Sequence, residues 1–182
     1  MRQAIAFIAL VASLAFVAAG CGGSDESSEA STTVEWADGY CTAVTSWSDD
    51  LKQVLVDLTS SPSQNGLDQA ANDVRTSTQQ LVDDLKSLGT PDTESGQEVK
   101  DALDELATTL EADLTEIADT VEGVSGLTDL PGAITSISTA LSSMSSASAS
   151  TFQTIEDADV QGELEDAFEQ ADSCSEITGS NG

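Results

Sequence analysis

The chain has 182 residues, with 33 Asp and Glu against 5 Lys and Arg, no histidine and a formal charge of −28. That balance repels nucleic acid and anionic lipid headgroups. The lack of histidine removes the commonest general base, the usual zinc and haem ligand, and the Ser-His-Asp and Cys-His nucleophile sets.

GxSxG, SxxK, CxxC and a phosphate-cradling glycine loop are missing as well. A hydrolase built from carboxylates alone stays open, but the acids are too many to single out a pair. The aromatic residues beyond the leader are sparse for a sugar site: Trp36, Tyr40, Trp47, Phe152 and Phe168. The expectation is a protein that is not an enzyme and has no cofactor and no metal site.

In chain order, Arg2 precedes an apolar run over residues 4–19, broken only by Ser13. This is a signal-peptide pattern, marginally short for a membrane span. Ala18-Ala19-Gly20-Cys21 resembles the lipobox of bacterial lipoproteins, with Ala18 where Leu is commonest. The resemblance implies removal of residues 1–20 and a diacylglyceryl thioether on Cys21, and two acyl chains suffice for stable anchoring. The other reading is a secreted protein in which Cys21 is incidental. Richness in Ala, Ser, Thr and Asp points to a high-GC bacterium, which puts the lipid anchor in the plasma membrane at its extracytoplasmic face.

Residues 21–33 comprise the lipidated Cys and GGSDESSEASTT, with no large apolar residue before Val34. They read as a disordered tether, spanning roughly 20 Å root-mean-square. The folded domain is expected over residues 34–176, with a disordered tail at 177–182.

Four apolar stripes follow at helical 3-4 spacing. Tyr40, Val44, Trp47, Leu51, Val54 and Leu58 form the first, where Thr32 and Glu35 suit a capping box and Gly39 delays the regular helix. After Pro62, with Asn65 as N-cap, come Leu67, Ala71, Val74, Thr78, Leu81, Leu85 and Leu88. Gly89 ends that helix, and Pro91 suits the first turn of the next. The third stripe is Val99, Leu103, Leu106, Leu110, Leu114, Ile117, Val121 and Val124; the fourth is Ile134, Ile137, Leu141, Met144, Ser148, Phe152 and Ile155. The Ser- and Ala-rich fourth helix needs tertiary packing and a close neighbour. A kink near Gly162 precedes a short last helix carrying Val160, Leu164, Phe168 and Ala171.

These patterns predict an all-α fold: an antiparallel four-helix, up-down-up-down bundle with a short fifth C-terminal helix. In an oxidising exterior Cys41 and Cys174 pair as a disulfide, against the alternative of two buried thiols. The up-down order brings their ends together.

Asp157 to Glu165 imitates the start of an EF-hand loop, but Phe168 stands where the bidentate Glu belongs, so a solvated helix junction is expected. Tyr40 and Trp47 lie on the stripe and read as core. The functional expectation is a membrane-anchored, non-enzymatic binding or scaffold module of the cell envelope, fitted by charge to a cationic peptide or protein. The alternative is a solute-binding bundle with an internal cavity near Trp36, Tyr40 and Trp47.

Overall fold

A computed structural model describes residues 25–60 and 62–178. Among the described residues six helices follow one another: α1 (Asp25–Ser60), α2 (Gln64–Leu88), α3 (Gly96–Glu122), α4 (Leu130–Ala158), α5 (Glu163–Gln170) and, after a 3₁₀ turn at Asp172–Cys174, the single-turn α6 (Ser175–Thr178). The described residues contain no strand.

The first four helices form the expected bundle. α1 packs chiefly on α2, α3 on α4, α2 on α3, and α5 closes against α1. Links between ends fix the antiparallel order. The Trp36 indole N–H of α1 donates to Gly89 O just past α2 (3.1 Å), and Gln161 beyond α4 donates to Glu94 ahead of α3.

The stripes account for the core. Tyr40, Trp47, Leu51, Val54 and Leu58 of α1 are buried, as are Leu67, Val74, Leu81 and Leu85 of α2. Val99, Leu103, Leu106, Leu110 and Ile117 of α3 face Ile137, Leu141, Met144, Phe152 and Ile155 of α4 across one continuous apolar cluster. The pairing of α3 with α4 is the close approach that α4's small residues anticipate, with Ala133 and Ala140 buried. Along α4 the hydroxyls of Thr135, Ser138, Thr139, Ser142, Ser146, Thr151 and Thr154 each donate to the carbonyl one turn back. The hydroxyls are thereby satisfied within their own helix, and packing on α3 holds the helix itself.

Several local expectations are corrected. α1 begins at Asp25, so residues 25–33 of the expected tether are helical, and Thr33 is buried. A helix already nucleated by the Tyr40 stripe extends at little cost. Thr32 and Glu35 therefore lie inside the helix rather than at its cap.

Gly39 does not delay α1; it sits mid-helix because a Cβ there would stand 2.5 Å from Leu88 Cδ2. It marks where the end of α2 comes down on α1. Ser63, not Asn65, caps α2, its hydroxyl accepting from Gly66 N (3.0 Å). Pro91 precedes α3 by five residues, which form a turn closed by Thr93 N donating to Pro91 O.

Val160, placed on the last stripe, is 86% exposed in the break between α4 and α5. Ile177, assigned by the sequence to a disordered tail, instead belongs to α6 and packs against the core; residues 179–182 lie outside the described residues.

Candidate functional site

The end of the bundle where α1 begins its buried stripe holds the most chemistry. Cys41 and Cys174 are joined by a disulfide with Cα atoms 5.0 Å apart, closing a separation of 133 residues. Both are fully buried, and the 3₁₀ turn carrying Cys174 is also held by Ser173 Oγ donating to Asp38 O (2.9 Å). A loop of that length stabilises the fold by up to about 5 kcal/mol through the entropy it removes from the unfolded chain.

Beside the bond lies a cluster of rings. Trp36 stacks on Tyr40 at 5.6 Å between centroids, and Phe152 meets Phe168 at 5.1 Å, tilted. Tyr40 also touches Phe152 and Phe168 at 6.3 and 5.9 Å. Trp47 stands two turns further along α1, where its indole N–H donates to Thr78 Oγ1 (3.0 Å), both groups buried. Trp36 and Tyr40 thus share one packed cluster, while Trp47 is fastened to α2.

One polar atom in this region lacks a partner. The Tyr40 hydroxyl is buried and makes no hydrogen bond, although a hydroxyl in that setting forfeits about 1–3 kcal/mol. Burial, reinforced by the negative charge of Glu156, pushes its pKa well above the ordinary tyrosine value, so it remains a neutral phenol. Tyr40 lines an open groove of about 180 Å³ between α1 and α4. Val44, Trp47 and Phe152 form the apolar part of its wall, Ser48, Ser145, Ser148 and Gln153 the polar part, and Ile177 of α6 closes one side. Trp36 is not among its lining residues.

The outer faces are acidic. Every described carboxylate with a described side chain is exposed except Asp113 and Asp159, which are half-buried. Two ion pairs form among the described residues, Lys52 with Asp49 and Lys100 with Asp104, both at the surface; such pairs contribute little. Partial desolvation, followed by the proximity of Glu165 and Asp157, raises the pKa of the exposed Glu156. Burial likewise raises that of Asp113, opposed by a hydrogen bond from Ser143. Asp129 goes the other way, its carboxylate held ionised by the backbone N–H and the hydroxyl of Ser125.

The EF-hand-like stretch is a helix junction. Gly162 takes φ of +78°, and Asp159 turns its carboxylate onto the backbone N–H groups of Glu163, Leu164 and Glu165 at 3.2, 2.8 and 2.9 Å. This is an N-terminal cap for α5, and it commits both oxygens that a cation would need. Among the described residues no three His, Cys, Asp or Glu side chains gather as a metal-holding group.

Cys21 lies outside the described residues. No described helix is long and apolar enough to cross a membrane. Comparison with protein-family models, with curated proteins and with solved structures gives no match.

The cysteine pair was legible in the sequence, whereas Tyr40 reads there as core, or as one wall of an internal cavity in the alternative, and the open α1–α4 groove was not legible. Its one signal was Ser148, a hydroxyl on an otherwise apolar stripe; Ile177 carried none.

Proposed function

We propose that this chain is a lipoprotein anchored through Cys21 at the extracytoplasmic face of the plasma membrane, serving as a non-enzymatic binding or scaffold module for a cationic peptide or protein. The observation that carries this reading is the surface charge: a net −28, spread over water-facing carboxylates, with only two ion pairs among the described residues to offset it. Such a field draws basic partners in at long range and weakens as salt shortens its reach. The rigid, cross-linked bundle supports the reading, since it presents the acids from fixed positions rather than from a collapsing chain.

Two measurements test it. Immobilised protein should retain an oligolysine peptide at low salt and release it near 1 M salt, where the screening length falls to about 3 Å; equal retention at both would refute the electrostatic part. Mass spectrometry of the native product should find a diacylglyceryl adduct on Cys21, and an unmodified thiol there would remove the anchor. A second reading, a solute-binding bundle, is favoured by the α1–α4 groove beside Tyr40 and Trp47.

A further inference from the structure

We propose that the groove between α1 and α4 is a binding site for a small alkylammonium ion, with the Tyr40 hydroxyl as the acceptor for its N–H. The proposal rests on the reading of a protein that recognises cations, and narrows it to one site and one ligand size.

Three observations converge there. Tyr40, 1% exposed, lines the groove and carries a hydroxyl with no hydrogen-bond partner. A buried polar atom of this kind is hydrogen-bonded in most folded proteins, so an unpartnered hydroxyl on a groove-lining residue is a place for a donor supplied from outside. The groove wall is divided between apolar side chains (Val44, Phe152, Ile177) and hydroxyl or amide groups (Ser48, Ser145, Gln153). That division suits a ligand with a methylene body and a hydrogen-bonding head. No Lys or Arg lines it, and Glu156 lies near enough to act on the Tyr40 hydroxyl. An anion would meet repulsion there, whereas an ammonium ion gains from the same field.

Size narrows the choice further. A space of about 180 Å³ is comparable with the ~150 Å³ cavities that admit benzene. It therefore takes a ligand of a few heavy atoms, and not a peptide segment. The hydroxyl oxygen is closed to water, so reaching it takes a side-chain movement in the wall. The small residues Ser145, Ser148 and Ala149 leave room for one.

The test is calorimetric titration of the full-length protein at about 0.15 M salt with 1,4-diaminobutane, and in parallel with butane-1,4-diol and succinate. Saturable binding of one diamine per chain is expected, with no heat from the diol or the diacid. Tyr40→Phe removes only the unpartnered hydroxyl and should weaken the diamine about tenfold, as for loss of a hydrogen bond to a charged group. Ala149→Phe, on the exposed rim, should block the groove and abolish binding while circular dichroism stays unchanged.

Diamine heat that never saturates, a diol that binds as well, or an unaltered affinity in Tyr40→Phe would each overturn the proposal. Oligolysine retention separates the two readings. It should survive both substitutions, and its loss from the unsubstituted protein, with diamine binding intact, would refute the surface reading and leave the groove standing.

Discussion

The two ends of this bundle are built differently. At the end with the disulfide, Trp36, Tyr40, Phe152 and Phe168 interlock, α5 and α6 add cover, and a covalent bond ties the first helix to the last residues of the fold. At the other end, where the α1–α2 and α3–α4 connections lie, the core is aliphatic: Leu58, Leu67, Ile117, Val124, Leu130 and Ile137. Leu127 there stays 80% exposed. The far end is ordinary heptad packing, which many apolar sequences could supply. The near end depends on particular shapes and one particular bond, and it is also where a buried hydroxyl goes unpartnered. Individuality and unsatisfied chemistry sit together.

The largest expected effect is loss of the cross-link. Cys174→Ser should cost up to about 5 kcal/mol in urea unfolding, and hydrogen exchange should rise first in α5 and the neighbouring part of α1. Uniform loss of protection over all helices would erase the distinction between the ends.

Next comes the ring cluster. Phe168→Ala should cost about 4 kcal/mol, and the cycle Phe152→Leu with Phe168→Leu should leave a coupling of about 1 kcal/mol beyond additivity. Strict additivity in chemical denaturation would make the near end no different in kind from the aliphatic one.

Smaller is the cap on α5. Asp159→Ala frees three backbone N–H groups and should cost about 1 kcal/mol, read as a lowered thermal midpoint.

The smallest concerns Asp113, midway along α3 and outside both special regions. Its pKa is raised by burial, so the folded state binds the proton more tightly than the unfolded one. Stability from this group is therefore fully present below the unfolded Asp value of about 3.9 and is lost as pH rises through the higher folded value. Asp113→Asn should raise the urea midpoint modestly at pH 7 and leave it unchanged near pH 3. A shift of equal size at both would show that burial of the charge is not the cause.

What could be read from the sequence follows from what kind of physics each feature uses. The helices and their inward faces were legible because periodicity is a property of neighbouring residues: Leu67 to Leu88 announce α2 without reference to anything else. The Cys41–Cys174 bond was legible because the two cysteines of the helical region lie near its opposite ends in sequence, and an up-down topology brings those ends together. Features set by a distant partner were not. Gly39 looks like a breaker until Leu88 arrives against it, and Val160 fits the last stripe until the Asp159 cap and Gly162 turn the chain. Asn65 is a fair cap by composition, but Ser63 has the position from which a hydroxyl reaches Gly66 N. The α1–α4 groove depends on α6 and on two helices a hundred residues apart, and a single serine on a stripe is too small a mark to foretell it.

The disulfide also decides how the molecule bears load. Traction applied between the start of α1 and the chain's C-terminal segment runs through Cys41 and Cys174 directly, because the chain between them, a separation of 133, lies off that line. The helices from Cys41 to the end of α5 are thereby shielded from shear, and the load falls on the stretch of α1 ahead of Cys41, which carries Trp36 and Tyr40, and on the residues after Cys174.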